Sequence, residues 1–134
     1  MQLDVSFKSI DGTSASLGIA GNKSVVADRR AGSAGGLGIG LSGGELQALA
    51  LGAGYFNQLH FSAEELGLSI IDSEVVVSLD FTEVPLLVKQ AEIRVRVRVA
   101  TGTEDETRLL AHAQQESTIS NAVARGFPVT ISPQ

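Results

Sequence analysis

The segment from Glu45 to Leu66 restricts the fold of this chain more than any other part of it. The segment has no proline, and only Gly52 and Gly54 weaken its tendency to form a helix. Apolar side chains cover most of the circumference of the predicted helix: Leu46, Leu49, Ala50, Leu51, Ala53, Tyr55, Phe56, Leu59, Ala63 and Leu66. A helix that is apolar on nearly every side must be enclosed by protein. We therefore expect a buried central helix.

Two later segments alternate between apolar and charged residues, as amphipathic strands do. In the first, residues 71–81, the two faces carry Val75, Val77, Leu79 and Phe81 against Asp72, Glu74 and Asp80. In the second, residues 91–100, the two faces carry Ile93, Val95, Val97 and Val99 against Arg94, Arg96 and Arg98. Antiparallel pairing would set the acidic row beside the arginines, where each opposite-charge pair contributes roughly 0.2 to 1 kcal/mol. The arginines then have a structural role, and an anion-binding surface is the alternative.

The N-terminal part predicts three short antiparallel strands followed by a loop. Apolar residues alternate with polar ones before residue 8, and further strand-like runs cover residues 15–20 and 25–27. Turn sequences separate these runs at Asp11-Gly12 and Gly21-Asn22. Residues 31–44 are rich in glycine and carry few bulky side chains, so their backbone entropy argues against a regular element.

The C-terminal third predicts two helices and a last strand. Thr103 and Glu106 match the T-x-x-E capping box that opens a helix. Ser117 is placed to cap a second, shorter helix. The segment after it, Phe127–Ile131 (FPVTI), has the alternation of a strand, and its proline favours an edge position.

The predicted order of elements, β-β-β-α-β-β-α-α-β, is that of an α+β fold. It has neither the strand–helix alternation of a parallel α/β fold nor the pattern of an all-β protein. A chain of 134 residues with 43% hydrophobic and 19% charged residues suits one domain, residues 1–134, with a single core.

Composition argues against several classes of partner. The net charge of -5 repels phosphate backbones, and five Phe and one Tyr leave few rings for base stacking, so we expect no nucleic acid. No apolar run approaches the ~18 residues of a membrane span. The first residues lack the cationic start and apolar run of a signal peptide. We expect a cytoplasmic protein that does not bind a membrane.

Two glycine-rich matches and two histidines do not predict a site. Residues 38–43 match G-x-G-x-x-G and residues 40–44 match G-x-S-x-G, but neither lies in the strand–turn–helix context that its chemistry needs. His60 and His112 have no partner at ligand spacing, so we expect neither a metal nor a cofactor. We expect His112 to be a solvated member of a charge ladder on its helix.

Several linked pieces of the sequence are similar to one protein family. They are Ala27-Asp28-Arg29, Gly35-Gly36, Glu45-Leu46, Leu51-Gly52-Ala53 with Tyr55, and Ile119-Ser120-Asn121-Ala122. In order and spacing they resemble the osmotically inducible protein C and organic hydroperoxide resistance superfamily, OsmC/Ohr. The resemblance implies an intertwined homodimer in which antiparallel or mixed sheets wrap around the paired central helices. It also implies a peroxiredoxin-like role in the oxidative stress response.

The two reactive cysteines of that family are missing from this chain. The resemblance puts Gly54 and Ser117 at their places, and the chain contains no cysteine at all. A serine forms no disulfide, so cysteine-based peroxidase chemistry is not possible in this chain. Ser117 is instead suited to an N-cap. Gly54 leaves two interpretations open: close approach of two helices at the dimer axis, or a retained pocket for a small apolar ligand.

The resemblance also implies candidate residues for that pocket. It matches the family's arginine to Arg29 or Arg30, and it matches Glu45 to the glutamate that opens the central helix. In the peroxide reductases, however, the catalytic carboxylate comes one position earlier, where this chain has glycine. The pocket candidates are Arg29, Arg30, Glu45, Gly54, Tyr55 and Ser117.

These observations favour a non-catalytic OsmC-like homodimer that binds a small apolar molecule or a partner. The alternative is a peroxide-detoxifying enzyme of the OsmC/Ohr type that uses a group other than a thiol. A purely structural stress protein is a third possibility.

Overall fold

The computed structural model describes residues 1–134, whose backbone forms two compact units, Met1–Gln47 and Ala48–Gln134. Three strands are followed by a helix, two strands and two helices. The α+β class is thereby confirmed, as is the predicted order up to the last helix. None of the helices combines the length and the apolar character needed to span a membrane.

Strands β1 (Ser6–Ser9), β2 (Ser16–Ala20) and β3 (Lys23–Ala27) form an antiparallel sheet in that order. Phe7 of β1 lies opposite Gly18 of β2. Its ring covers the glycine, since a Cβ atom built on Gly18 would meet Phe7 Cε1 at 2.5 Å. The aromatic side chain thus fills surface that glycine leaves bare, which strengthens this pair of strands.

Helix α1 spans Gly43–Leu66 and is the predicted central helix. One face buries Leu51, Tyr55, Leu59, Ser62 and Ala63. A second face is exposed and carries residues at helical spacing, namely Leu49, Ala53, Phe56 and His60. We call these four residues the α1 stripe. A single chain therefore leaves one apolar side of this helix uncovered.

Strands β4 (Ile70–Phe81) and β5 (Val88–Val99) form a long antiparallel hairpin. Val75 lies opposite Val95, and both pack against the hydrophobic core. The two strands pair only with each other, so each keeps an outer edge without a neighbouring strand.

The outer face of the hairpin carries the predicted rows of opposite charge. Asp72 lies opposite Arg98 and Glu74 lies opposite Arg96, which confirms that the acidic row lies beside the arginine row. Arg96 Nη1 donates to Asp72 Oδ2 at 2.6 Å. This hydrogen bond and the positive charge of Arg96 lower the pKa of the Asp72 carboxyl. Because both side chains are exposed, such pairs contribute little to stability individually.

Helices α2 (Thr103–Glu116) and α3 (Thr118–Arg125) follow the hairpin. The predicted T-x-x-E capping box at the start of α2 is wrong, since Gly102 occupies the N-cap and no side chain caps this end. The helix begins one residue earlier than that pattern requires, and the Glu106 side chain does not bind the N-cap residue. Its Oε1 accepts the backbone N–H of Val99 at 3.2 Å.

The predicted last strand, Phe127–Ile131, is not formed in the single chain. Helix α3 ends at Arg125, and the φ of 76° at its C-cap, Gly126, suits glycine. Residues 127–134 adopt no regular structure, and no backbone hydrogen bond joins them to the rest of the chain. A strand needs a neighbour to pair its backbone groups, and this segment has none here.

The core of Ala48–Gln134 joins α1, α2 and β5. Its fully buried members are Leu59, Leu109 and Ala113, and Tyr55, Ala63, Val97 and Val99 surround them. Burying one leucine side chain contributes roughly 1.5 to 3 kcal/mol. This core holds α2 against α1 and thereby positions the polar groups between the two helices.

Candidate functional site

One buried carboxylate organises the glycine-rich loop after β3. The Asp28 side chain is fully buried, and its oxygens accept the backbone N–H groups of Arg29 (2.8 Å), Leu37 (3.0 Å) and Ile39 (3.2 Å). Burial raises the pKa of Asp28, but these donors and the Arg29 guanidinium outweigh it and hold the pKa below its ordinary value. The ionised side chain therefore ties the two ends of the loop together.

The two candidate arginines bind groups within Met1–Gln47. Arg29 Nη2 donates to the carbonyl oxygen and to the Oγ of Ser14, at 2.7 Å each, and lies 3.5 Å from Asp28 Oδ1. Arg30 Nε donates to Ser33 Oγ at 3.3 Å, and the residue is exposed. Arg29 is thus fixed by its own unit, whereas Arg30 makes a single contact with its loop.

Glu45 opens α1 as one half of a capping box. Ser42 Oγ accepts the backbone N–H of Glu45 at 3.1 Å, and Glu45 Oε1 accepts the backbone N–H of Ser42 at 3.2 Å. The two side chains satisfy each other's backbone donors at the start of the helix. The S-x-x-E pattern of residues 42–45 is a signal that sequence reasoning missed.

Gly54 lies where α1 meets α3. A Cβ atom built on Gly54 would lie 2.8 Å from Cγ1 and 2.9 Å from Cβ of Ile119, so no side chain fits there unless Ile119 moves. The space beside Gly54 is filled by Ile119. The structure therefore shows two helices in close approach at this glycine, and the approaching helix is α3 of the same chain.

Tyr55 is buried and faces α2. Its hydroxyl donates to the carbonyl oxygen of Leu110 at 3.4 Å. Burial raises the pKa of the Tyr55 phenol. The ring packs in the core cluster with Leu59 and Leu109, so the residue helps to hold α2 against α1.

Ser117 occupies the N-cap of α3, but the predicted side-chain cap is wrong. Its backbone carbonyl accepts the N–H of Asn121 at 3.1 Å, as an N-cap residue does. Its fully buried Oγ instead accepts the hydroxyl of Ser120 at 2.6 Å. The donor to Ser117 Oγ is therefore the Ser120 hydroxyl and not a backbone N–H of the first turn.

A polar cluster links α1 and α2 through residues that sequence reasoning did not connect. His112 Nδ1 lies 2.9 Å from Ser62 Oγ, and His112 Nε2 lies 3.2 Å from Glu65 Oε2. Gln58 Nε2 donates to the same Ser62 Oγ at 3.2 Å. The prediction of a solvated His112 is therefore wrong. A serine, a histidine and a glutamate in this order resemble a hydrolase triad, but Ser62 is fully buried and closed to a substrate.

The six predicted pocket residues are divided between the two units. Gly54, Tyr55 and Ser117 all lie in Ala48–Gln134, and Ile119, on the first turn after Ser117, packs at the Gly54 position. The other three candidates lie in Met1–Gln47, where Arg29 binds Ser14, Arg30 binds Ser33 and Glu45 binds Ser42.

A family model described as OsmC-like protein matches residues 34–132. The chain belongs to the OsmC-like protein family. The match includes α1, the β4–β5 hairpin and both C-terminal helices, and therefore Gly54 and Ser117. It begins after Arg29 and Arg30.

Solved structures share this OsmC-like fold. An OsmC-like protein from Mycoplasma pneumoniae has a TM-score of 0.77 at 10% identity, covering 92% of this chain and 88% of that chain. The organic hydroperoxide resistance protein OhrB of Bacillus subtilis has a TM-score of 0.60 at 21% identity, covering 92% and 90%. A Vibrio cholerae protein with captopril bound in one of its active sites has a TM-score of 0.57 at 18% identity, covering 92% and 84%. At these low identities, the comparisons show a common fold only. A search of curated protein sequences found no match to the chain.

The two positions that the resemblance assigns to cysteines hold no redox group in this OsmC-like chain. Gly54 has no side chain, and the Ser117 hydroxyl is buried against Ser120. What the arrangement does offer is a close contact between Ile119 of α3 and Gly54 of α1, and an exposed apolar stripe on another side of α1.

Proposed function

We propose that the protein acts in the stress response as a non-catalytic OsmC-like homodimer that binds a small apolar molecule or a partner. The α1 stripe carries this proposal. Within it, Leu49 is 54% and Phe56 is 37% exposed. Neighbouring exposed apolar side chains are typical of interaction surfaces, which supports the proposal. A second copy presents the same stripe, which suits a two-fold symmetric interface.

The missing thiol sets this chain apart from peroxide reductases. A reactive cysteine works as a thiolate, and neither Gly54 nor Ser117 supplies a sulfur atom. The Bacillus subtilis protein is named for organic hydroperoxide resistance. That likeness supports a role in the same kind of stress response, without the cysteine chemistry.

The proposed ligand lies against the α1 stripe instead of beside Gly54. Ile119 fills the space at Gly54, whereas Phe56 and His60 present two aromatic rings at the surface with centroids 5.3 Å apart. The Vibrio cholerae protein holds captopril in one of its active sites, which supports binding of a small molecule by this fold. In our proposal, the second copy covers the ligand where the two stripes meet.

The oligomeric state tests this proposal directly. Light scattering on the protein as it elutes from a size-exclusion column should give twice the mass of one chain. Phe56→Glu should give a monomer, because the interface would bury an unpaired charge. Phe61→Glu is the matched control, since Phe61 is 61% exposed on the same helix and lies about 140° around the axis from Phe56. A monomeric wild-type protein would contradict the proposal.

Activity and ligand binding test its other parts. With cumene hydroperoxide and dihydrolipoamide, the pure protein should show no turnover above the uncatalysed rate. Turnover would favour the alternative, an enzyme of the peroxide-detoxifying type without a thiol. A thermal-shift screen of small apolar compounds should find stabilisers that lose their effect in Phe56→Glu. A screen without stabilisers would remove the ligand from the proposal.

We also propose that residues 1–134 act as one OsmC-like domain. Hydrogen exchange measures this, because amides that open only by global unfolding share one free energy. The most protected amides of β2 and of α2 should exchange with the same free energy. Distinct values that persist near the unfolding transition would indicate two domains.

A further inference from the structure

The hydrogen bonds of the polar cluster between α1 and α2 all run in one direction. An ionised carboxylate only accepts, so the neutral ring of His112 must carry its proton on Nε2, which lies 3.2 Å from Glu65 Oε2. The other ring nitrogen, Nδ1, then has a free lone pair, and the Ser62 hydroxyl donates to it at 2.9 Å. Gln58 Nε2 donates in turn to Ser62 Oγ at 3.2 Å. The bonds therefore run from Gln58 through Ser62 and His112 to Glu65.

The middle of this series of bonds is buried, whereas its end is open to solvent. Ser62 is fully buried, but the side chains of His112 and Glu65 are 28% and 64% exposed. A proton from solvent can therefore reach the imidazole, while water does not reach the Ser62 hydroxyl. A hydroxyl closed to water depends on acceptors within the protein, and His112 Nδ1 is the acceptor that the fold provides.

Protonation of the imidazole removes that acceptor. An imidazolium ring carries a hydrogen on both nitrogens and accepts no hydrogen bond. The Ser62 hydroxyl then loses its partner, whereas the contact between His112 and Glu65 gains an opposite charge. Histidine side chains ordinarily change charge between about pH 5 and pH 8, where ordinary carboxyl groups stay ionised.

The two consequences of protonation differ in size. An exposed ion pair changes an equilibrium by at most about fivefold. A buried hydroxyl that loses its acceptor changes the equilibrium by about five- to 150-fold. The loss at Ser62 therefore outweighs the gain at Glu65, and the link between the two helices weakens in acid.

The other charges around His112 do not replace this effect. On α2, Arg108 and Glu116 lie one turn before and one turn after the histidine and carry opposite charges. Arg108 also binds Asp105 at 3.1 Å. On β5, which packs against α2 through its apolar side chains, the charged side chains lie on the outer face of the hairpin. Glu65 is the one ion-pair partner of His112.

We propose that Ser62 and His112 form an acid-sensitive latch between α1 and α2. While the ring is neutral, the Ser62 hydroxyl donates to Nδ1 and joins the two helices. When the ring is protonated, this hydrogen bond is lost and the latch weakens. Both residues belong to one chain, so the latch does not depend on the homodimer proposed above.

The effect of Ser62→Ala at two pH values measures the latch. Urea unfolding of the wild-type protein and the variant is compared at about pH 8 and about pH 5.5, on either side of the ordinary histidine titration. One protein concentration is used throughout, because the stability of a dimer depends on it. At the higher pH, Ser62→Ala should raise the unfolding constant about fivefold, the equivalent of one hydrogen bond. At the lower pH this increase should disappear, since the wild-type hydroxyl has then lost its acceptor.

Two further variants assign the pH dependence to His112. In a His112→Gln background, Ser62→Ala should have the same effect at both pH values. His60→Ala is the matched control, because it removes the other histidine, which lies in the α1 stripe, and should leave the pH dependence intact. An equal effect of Ser62→Ala at both pH values in the wild-type background would overturn the proposal. The hydroxyl would then turn to another acceptor, such as the Gln58 carbonyl oxygen one turn earlier.

Nitrogen NMR of the histidine rings tests the bond direction in the wild-type protein. His60→Ala identifies the two sets of ring signals by removing one of them. At about pH 8, above the ordinary histidine titration, the His112 ring should be the tautomer with hydrogen on Nε2 and a bare Nδ1. A hydrogen on Nδ1 at this pH would overturn the proposal, whatever the stability of the substituted proteins.

Discussion

Gly54 and Ile119 share one packing space between α1 and α3. A Cβ atom on Gly54 would lie 2.8 Å from Ile119 Cγ1 and 2.9 Å from Ile119 Cβ, well inside ordinary carbon–carbon contact. The Cβ of Ile119 is fixed to the backbone and cannot swing aside like the end of a long side chain. A glycine inside a helix costs about 1 kcal/mol relative to alanine, and this contact explains why the helix carries one here.

Gly54→Ala should destabilise the protein even though alanine favours a helix. We expect overpacking of roughly 1 to 3 kcal/mol against a gain in helix propensity of about 1 kcal/mol. Urea unfolding measures the difference. In an Ile119→Ala background the same substitution should cost less, with a coupling free energy of about 0.5 kcal/mol or more. Additive effects of the two substitutions would show that the positions do not share this space.

Gly52→Ala is the matched control on the same helix. A Cβ atom on Gly52 would lie 3.2 Å from one methyl group of Val77, a milder contact than that at Gly54. The loss of stability should therefore be smaller than for Gly54→Ala.

The Asp28 carboxylate should make stability depend on pH in the acid range. Its pKa in the folded protein lies below the unfolded value of about 3.9, so the folded state binds fewer protons there. The stabilisation is complete above the unfolded value and is lost as pH falls through the lower, folded pKa. Asp28→Asn should therefore lose less stability on acidification than the wild-type protein does.

The same substitution should lower stability at neutral pH. The carboxylate oxygens of Asp28 now accept the backbone N–H groups of Arg29, Leu37 and Ile39. In Asp28→Asn the side-chain amide nitrogen is itself a donor, so it would face at least one of these N–H groups without forming a hydrogen bond. Urea unfolding at neutral pH and in acid measures both effects. Asp11→Asn, in an exposed turn, should change neither. Wild-type stability of Asp28→Asn at neutral pH would refute the structural role of this carboxylate.

The buried hydroxyl of Ser62 should depend on His112. His112→Ala removes one of the two partners of the Ser62 hydroxyl, at 2.9 Å, and leaves only Gln58. A buried polar group that loses a hydrogen bond costs about 1 to 3 kcal/mol. Ser62→Ala should therefore recover part of the loss in the double variant, as thermal unfolding would show. Glu65→Gln is the control, because its side chain is 64% exposed and exposed pairs contribute at most about 1 kcal/mol. If His112→Ala lowered the stability equally in the wild-type and Ser62→Ala proteins, the Ser62 hydroxyl would not depend on His112.

Local patterns predicted much of this fold because they act over a few residues. Alternation in β4 and β5 predicts that Asp72 and Arg98 both lie on the charged face of the hairpin, since a strand repeats every two residues. The contacts of Gly54 with Ile119 and of Ser62 with His112 join distant parts of the chain, and no period in the sequence reports them.

The start of α2 and the C-terminal segment show where local sequence patterns are insufficient to predict structure. The T-x-x-E pattern at Thr103 failed because Gly102 could take the N-cap, while the S-x-x-E pattern at Ser42 forms the box. For Phe127–Ile131 the alternation is that of a strand, but pairing depends on a neighbour that the sequence of the segment cannot supply.

The capping box at Ser42 separates a structural role of Glu45 from a role in ligand binding. Ser42→Ala removes the acceptor for the Glu45 N–H and should cost about 1 kcal/mol. Glu45→Ala breaks the reciprocal bond to the Ser42 N–H, so the double variant should lose less than the sum of the two. Glu45→Gln keeps an acceptor oxygen and loses only the favourable charge at the helix start, about 0.3 to 1 kcal/mol. Because this variant retains the cap, the thermal shift produced by any stabilising apolar compound should match that of the wild-type protein. A lost shift with the cap intact would place Glu45 in the ligand site.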